Sequence, residues 1–300
     1  MVRQPHKNPR MSPRTQRTIE RIAQTRGIGF LTGQTITVRF MPAEENTGIV
    51  FQRLDLEGQP LIPATMPYVA SGNRHTLLQH RGATVALTEH VMAALAGMQI
   101  DNCLVQIDGP EAPGCDGSAL DFVRCLQAAG IVTQVQSVNP YRITEKITLI
   151  DAKRNASIIA FPTHGDQLIL EYQLDYGRQS PIAEQSAQFV ITPYTFVSEV
   201  AFCRTFILEQ EIEMLKARGY GKNTNTSHLL VFGEDGLIEN TLRVENECAR
   251  HKLLDCIGDF ALLGRPIIGH IIARKTGHEH NHQFLHEILS LQERRYSRAA

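Results

Sequence analysis

The sequence lacks three features: a long apolar run, closely paired cysteines and an excess of charge. No run of about 18 apolar residues and no apolar N-terminal segment occurs, so we expect neither a membrane span nor a secretory signal. The formal net charge is -1, which argues against binding of nucleic acid or of an anionic membrane surface. We therefore expect a cytoplasmic protein, and we interpret it as a monomer.

Six cysteines are scattered along the chain without a CxxC pair, mostly among apolar neighbours. That pattern is typical of reduced, buried side chains rather than of a disulfide framework. The chain has 300 residues, of which 42% are hydrophobic. This length and composition predict a substantial core divided between two domains.

Strand patterns precede helical patterns in both halves of the chain. Residues 1–15 are basic and proline-rich and predict a flexible tail. We assign residues 16–135 to an N-terminal α+β domain, 136–141 to a linker and 142–290 to a C-terminal α+β domain. The order of elements predicts two β/α layered domains of similar layout.

Hydrophobic periodicity predicts individual elements within these domains. Strands are expected at 35–39, 48–53, 103–107, 143–150, 156–161, 168–174 and 267–274. Helices are expected at 89–98, 119–129, 209–218 and 246–263, with a His-rich helix at the end of the chain.

The segment 249–264, ARHKLLDCIGDFALLG, carries the strongest chemical signal. His251, Asp255 and Asp259 follow one another at i, i+4 spacing and share one face of the predicted helix beside an apolar stripe. Imidazole and carboxylate groups are ordinary zinc ligands. Taken alone, an H-x3-D spacing is also compatible with a solvated helix face.

A second segment, TEHVMAALAG, places Glu89 and His90 in the first turn of a helix, with Thr88 as its expected N-cap. A helix N-terminus favours an ionised Glu89 and a neutral His90. A third segment, RKTGHEHNH, places His278 directly after a strand and a glycine, where catalytic side chains often lie. We interpret the histidines that follow, at 280, 282 and 286, as exposed to water.

Together these segments resemble the UDP-3-O-acyl-N-acetylglucosamine deacetylase family over nearly the whole chain. The resemblance rests on the blocks RTI, GIGFLTG, NTGIVFQR, EHVMAALAGMQIDN, DGPEAPGCDGSALDFV, RTF, RHKLLDCIGD and KTGH in the same order. It implies two domains facing each other, with the active site in the groove between them. It also implies zinc-dependent hydrolysis of an acetamide in lipid A biosynthesis, with UDP-3-O-acyl-N-acetylglucosamine as the substrate.

The resemblance also implies the roles of individual residues. His90, His251 and Asp255 would hold one Zn²⁺, although Fe²⁺ is compatible with the same ligands. Glu89 would be the general base. His278 would be the general acid or an electrostatic partner of the leaving amine, with Asp259 polarising it, and Thr205 would stabilise the oxyanion. Lys252 would meet the diphosphate. Phe206 would face the uracil or line the groove, its alternative being an ordinary core residue; Asp116 is interpreted as structural.

The chain departs from the family pattern at three places. Leu31 stands where most members carry histidine, and a family cysteine is missing around His75 and Thr76. The stretch 219–231 differs within the insert at about 200–232 that forms the acyl-chain passage. Two alternatives therefore remain: a deacetylase of another acylated nucleotide sugar, or a non-catalytic nucleotide-sugar binding module.

Overall fold

A computed structural model describes residues 14–217 and 219–299. Most of the tail expected at 1–15 lies outside the described residues, and Thr15 already begins a strand. The strands, in chain order, are β1 (Thr15–Ile19), β2 (Ala23–Ile28), β3 (Thr35–Pro42), β4 (Ile49–Arg53), β5 (Leu61–Pro63), β6 (Val69–Ala70), β7 (Leu77–His80), β8 (Ala83–Ala86), β9 (Cys103–Ile107), β10 (Ile131–Ser137), β11 (Tyr141–Arg142), β12 (Ile147–Asp151), β13 (Ala156–Phe161), β14 (Leu168–Leu174), β15 (Gln185–Ile191), β16 (Phe206–Leu208), β17 (Leu230–Gly233), β18 (Gly236–Leu237) and β19 (Ile267–Arg274).

The α-helices are α1 (Glu89–Gly97), α2 (Leu120–Ala129), α3 (Pro193–Thr195), α4 (Glu209–Ala217), α5 (Glu247–Phe260) and α6 (His278–Ala299). Short 3₁₀ helices occupy Met66–Tyr68 and Ala261–Leu263, and Phe196–Val200 is π-helical. Among the described residues, no helix combines the length and the apolar character that crossing a membrane requires.

The two large sheets have the same strand order. In the N-terminal sheet the order is β2-β3-β9-β4-β5, and in the C-terminal sheet it is β12-β13-β19-β14-β15. In both, the last strand lies between two hairpins, antiparallel to one neighbour and parallel to the other. In chain order, α1 and α2 flank β9 as α5 and α6 flank β19. The expected α+β fold of two domains with similar layout is therefore confirmed.

The helices α1 and α5 pack against each other, and α5 also packs against β14 and β15. The apolar faces of both halves join one continuous cluster of buried side chains. Gly258 allows the close approach, because a Cβ atom on it would overlap the carbonyl of Glu89. This contact between the helices sets the geometry of the site described below.

Both domains carry an insertion at the same point, between the fourth strand of the sheet and the helix that follows. The first insertion contains β6, β7 and β8, and the second contains α3, α4 and the small sheet β16-β17-β18. The second one spans 192–246, so it extends beyond the expected limits of 200–232 on both sides. Residues of both insertions line the same groove.

The segment interpreted as a linker is partly a strand. Gln136 and Ser137 belong to β10, which pairs antiparallel with β1, and Tyr141 begins β11, which pairs with β19. Only residues 138–140 connect these strands. The pattern was misleading because β10 is half-exposed: Val135 is 85% exposed, so the segment has no regular apolar face.

Candidate metal centre

Three side chains from two helices meet at one point. His90 lies in the first turn of α1, while His251 and Asp255 lie one turn apart on α5. Their ligand atoms all lie within 4.8 Å of one another. Asp255 Oδ1 is 3.6 Å from His90 Nε2 and 3.4 Å from His251 Nε2. Two imidazole nitrogens and one carboxylate oxygen fit the donor set of a catalytic zinc site.

His251 is oriented and neutral. Its Nδ1 donates a hydrogen bond of 3.0 Å to the carbonyl of Cys203, so Nε2 faces the cluster. Burial lowers the pKa of the imidazole to about 4. A neutral ring with its second nitrogen held by a carbonyl is the usual arrangement of a metal-binding histidine.

Lys252 is closer to the cluster than expected. The sequence indicated a side chain turned about 100° away from His251, but its ammonium donates to Asp255 Oδ2 at 2.7 Å. Burial by itself would lower the pKa of Lys252, but the Asp255 charge outweighs burial and raises it. Asp255 therefore presents Oδ1 to the two imidazoles while Oδ2 is held by Lys252.

Glu89 and His278 flank the cluster. Glu89 is 4% exposed, and its Oε2 accepts a hydrogen bond of 3.1 Å from the backbone of Thr76. His278 Nε2 lies 3.8 Å from Glu89 Oε1 and 4.0 Å from Asp255 Oδ2. Burial alone would lower the pKa of His278, but the charges of Asp259 and Glu89 raise it to about 9. The site thus pairs a carboxylate with an imidazole that holds a proton.

Asp259 is completely buried and is the hub of a hydrogen-bond network. Its Oδ2 accepts from His278 Nδ1 and Asn281 Nδ2, both at 2.8 Å. Its Oδ1 accepts from the Thr76 hydroxyl at 2.6 Å. Burial would raise the pKa of this carboxyl, but the charge and hydrogen bond of His278, with a smaller effect of His282, hold it far below its ordinary value. Asp259 and His278 therefore form a buried ion pair, and the bonds from Thr76 and Asn281 fix the orientation of the Asp259 carboxylate.

Sequence reasoning missed the contributions of Thr76 and of the first turns of α6. His282 Nε2 lies 3.1 Å from the Thr76 hydroxyl and 3.6 Å from Asp259. The expectation that the histidines after 278 are exposed to water was wrong for His280, which is 5% exposed and bonded to Asp151 at 3.2 Å. His286 alone of the three is exposed. The i, i+3 and i, i+4 spacing from His278 was the available signal.

Thr88 precedes α1 as expected, but the expectation that its side chain caps the helix was wrong. Thr88 has helical backbone angles and makes no side-chain cap bond. Its hydroxyl points instead toward the Thr76 carbonyl at 3.5 Å. The backbone of Thr76 therefore ties the first insertion to the start of α1, because its N–H donates to Glu89 and its carbonyl accepts from Thr88.

The cluster lies in a groove of about 980 Å³ lined by both domains. Thr205 and Phe206, on the segment where β16 begins, line it. Phe206 is 7% exposed, and its ring packs edge-on against His251, Tyr176 and Phe232. Phe206 is therefore a buried, packed aromatic residue that also lines the groove, so features of both expected alternatives, a core residue and a groove residue, are present.

Two cationic residues of the groove carried no signal in the sequence. Arg154 pairs with Glu279 at 2.7 Å, and Lys275 pairs with Asp175 at 3.3 Å. Both cations line the groove. Each of these cations therefore already has a carboxylate partner where it lines the groove.

The apolar part of the groove includes Leu31 and side chains of the second insertion, among them Ile212, Leu215 and Val231. The turn that carries Leu31 is fixed by the buried carboxylate of Glu111, which accepts from the backbone N–H groups of Leu31 and Thr32 at 2.8 and 2.7 Å. Leu31 therefore adds apolar surface to the groove at the position where most members of the resembled family carry histidine.

Comparison with known proteins shows the family to which the chain belongs. The family model described as UDP-3-O-acyl N-acetylglycosamine deacetylase matches residues 16–290. The chain is 39% identical over 272 residues to the UDP-3-O-acyl-N-acetylglucosamine deacetylase of Chlamydia abortus, covering 90% of this chain and 95% of that protein. The proteins of the same name from Chlamydia pneumoniae and Myxococcus xanthus are 38% and 36% identical over 281 and 283 residues, covering 93% and 94% of this chain and 98% and 88% of theirs.

Proposed function

The chain belongs to the UDP-3-O-acyl N-acetylglycosamine deacetylase family, and from that premise we propose the chemistry of its site. It is a metal-dependent deacetylase of lipid A biosynthesis. Its substrate is UDP-3-O-acyl-N-acetylglucosamine, and the products are acetate and the free amine. The observation that carries the assignment of the site is the meeting of His90, His251 and Asp255, with a carboxylate and a protonated imidazole on either side.

We propose Zn²⁺ as the ion held by these three ligands, with Fe²⁺ as the alternative. When bound, the ion supplies Lewis acidity, which polarises a carbonyl and makes a water molecule acidic. The pairing of Asp255 Oδ2 with Lys252 and of His251 Nδ1 with the Cys203 carbonyl leaves one donor atom of each ligand free for the ion.

Glu89 takes the proton of the attacking water, and His278 gives its proton to the leaving amine. The closest approach of the two groups, 3.8 Å, is compatible with both acting on one small group held between them. Asp259 orients His278 through the bond of 2.8 Å to Nδ1 and stabilises its charged form. The Thr205 hydroxyl donates to the oxyanion. A positioned acid or base contributes roughly 10² to 10⁴ in rate.

The substrate lies along the groove. We propose that its diphosphate meets the cations Lys252, Arg154 and Lys275, that the uracil lies against Phe206 and Tyr176, and that the acyl chain follows the apolar wall of the second insertion. We also propose domain limits at 16–135 and 142–290, with the first domain extended to Ser137 by β10 and the second beginning at Tyr141 with β11. Since one chain supplies every group named here, we propose that a monomer is sufficient for activity. The six free cysteines are typical of a protein in a reducing compartment, and we propose that this compartment is the cytoplasm.

The test combines metal analysis with measurement of acetate release. We expect purified protein to hold one metal ion per chain and to release acetate from UDP-3-O-acyl-N-acetylglucosamine. Glu89→Ala and His278→Ala should keep the ion and lose at least about 10²-fold in rate, whereas the exposed His286→Ala should match the wild type. Reconstitution of the metal-free protein with zinc or iron decides the native ion.

Two outcomes would overturn the proposal. Protein that holds the ion but releases no acetate from this substrate would indicate a binding module. Release of acetate only from a different acylated nucleotide sugar would keep the site but change the substrate. A series of acyl chain lengths separates these cases.

A further inference from the structure

Arg204 and Glu247 form a buried ion pair beside the metal centre. Their side chains are 8% and 0% exposed. Arg204 Nε donates to Glu247 Oε1 at 2.8 Å and Nη2 to Oε2 at 3.0 Å, and the backbone N–H of Arg204 donates to Oε1 at 3.0 Å. The remaining guanidinium donors reach Asn240 Oδ1 at 2.8 Å and the Thr241 carbonyl at 2.7 Å.

The two residues join the segments on which the site depends. Glu247 is the first residue of α5, one turn before His251. Arg204 lies between Cys203, whose carbonyl receives the Nδ1–H of His251, and Thr205, which lines the groove. A displacement of Arg204 relative to Glu247 would therefore shift the partner of a metal ligand and the oxyanion donor together.

A third residue extends the contact to the N-terminal domain. The backbone of Arg243 donates to Glu247 Oε2 at 2.7 Å, and its guanidinium donates to the Phe202 carbonyl at 2.6 Å and to Asp116 Oδ2 at 2.7 Å. The segments of Arg204 and Arg243 thus both donate to one buried carboxylate, and Arg243 links it to Asp116 of the N-terminal domain. Replacing a buried ion pair by packed apolar groups is often neutral for stability, but such pairs can specify a unique geometry.

We propose that Arg204 and Glu247 are positioning residues for deacetylation, which fix the Cys203 carbonyl against His251 and place Thr205 at the groove. This inference rests on the proposed function. Groups that orient a metal ligand typically change metal affinity or activity by 10- to 100-fold when they are lost. A merely structural pair would change the free energy of unfolding without a selective effect on the metal.

The test uses Glu247→Gln, which keeps the size of the side chain but places an amide NH₂ against the guanidinium donors. The second variant, Arg204→Lys, keeps the charge but cannot form the two-pronged bond. The control is Asp55→Asn, which breaks the comparable fork of Arg53 on Asp55 at 2.7 and 2.8 Å outside the groove. Each metal-free protein is titrated with Zn²⁺ against a chelating dye, and urea unfolding and acetate release are measured on the same samples.

We expect the Zn²⁺ dissociation constant of Glu247→Gln to rise 10- to 100-fold and kcat to fall, with Arg204→Lys between it and the wild type. Asp55→Asn should bind Zn²⁺ as the wild type does, whatever its stability. Affinity and kcat of both pair variants within about twofold of the control would overturn the inference alone. If Glu247→Gln does not fold, the Zn²⁺ affinity and kcat of Arg204→Lys, compared with those of the control, test the inference. A wild type without metal binding or acetate release would overturn the proposed function itself.

Discussion

The carbonyl oxygen of Glu89 occupies the space in which a Cβ atom on Gly258 would lie. Gly258 is an interior residue of α5, between Asp255 and Asp259, and Glu89 begins α1. The two helices are therefore in close contact at the level of the proposed base and metal ligands. A residue without a side chain brings together chemical groups that the sequence separates by more than 150 positions.

Gly258→Ala should push α1 away from α5. In an isolated helix the change would favour folding, since glycine is about 1 kcal/mol less favourable than alanine. Here we expect the overlap to reverse the sign, with a loss of about 1–3 kcal/mol in unfolding free energy and weaker metal binding, because His90 moves with α1. Urea unfolding and Zn²⁺ titration measure both effects.

Gly165→Ala is the matched control, because nothing lies within 4 Å of a Cβ atom at that position. It should keep the wild-type metal affinity. If Gly258→Ala binds Zn²⁺ as tightly as this control, the contact between the helices does not set the geometry of the site.

The strands that sequence periodicity predicted best are the central ones. The expected limits 103–107, 156–161, 168–174 and 267–274 coincide with β9, β13, β14 and β19, because each alternates buried apolar residues with more exposed ones. The strand expected at 143–150 was wrong at its start, since β12 begins at Ile147. Ile143 is buried, but it continues the edge strand β11 and its N–H bonds to Ile268.

The sequence marked the side chains that meet at the candidate metal centre, but not the residues that hold them in place. Spacing on α5 marked His251, Asp255 and Asp259, because helical periodicity is a local property. Thr76, which lies just before β7 and bonds to Asp259 more than 180 positions away in the sequence, left no local signal. The same holds for the Arg204–Glu247 pair, whose partners are 43 positions apart and are brought together by the fold of the second insertion.

Asp259→Asn should lower the activity that depends on protonated His278 without loss of the metal ion. Asp259 is not among the three ligands, so the variant should retain the ion. Without the negative charge of Asp259, the largest contribution to stabilising the protonated form of His278 is lost, and we expect kcat to fall by about 10²-fold or more. Steady-state kinetics and metal analysis check both statements, with Asp121→Asn on the surface of α2 as the control. Activity within a few-fold of that control would contradict the role of Asp259.

Asp116 should contribute to stability in a pH-dependent way. Burial would raise the pKa of its carboxyl, but bonds from Ser118 and Arg243 outweigh burial and hold it below the ordinary value of 3.8. A carboxyl with a lowered folded-state pKa stabilises the protein above its unfolded-state pKa, and this contribution is lost as the pH falls toward the folded-state value. We therefore expect the wild type to be more stable than Asp116→Asn near neutral pH.

The difference between these two proteins should shrink as the pH falls below 3.8. Urea unfolding across the acid range measures it. A difference that stays constant through that range would mean that the Asp116 charge does not stabilise the fold.

The six cysteines should report on opening of the structure. All are buried and free, and burial raises the pKa of Cys103 and Cys115 to about 12 and of Cys125 to about 11. Since the thiolate is the reactive form, a colorimetric thiol reagent at mildly alkaline pH should label none of them rapidly in the native protein and all six in concentrated guanidinium. Rapid labelling of the native protein would contradict this packing.

The rate at which Cys256 is labelled should depend on whether the metal ion is bound. Cys256 is fully buried on α5, next to Asp255, and its thiol donates to Asn281 at 3.7 Å. An ion held by α1 and α5 together stabilises only the closed arrangement of these helices, so the population of open molecules falls as the metal concentration rises. Chelation should therefore speed the labelling of Cys256, and added Zn²⁺ should restore protection. Equal labelling rates with and without metal would mean that the ion does not join the two helices.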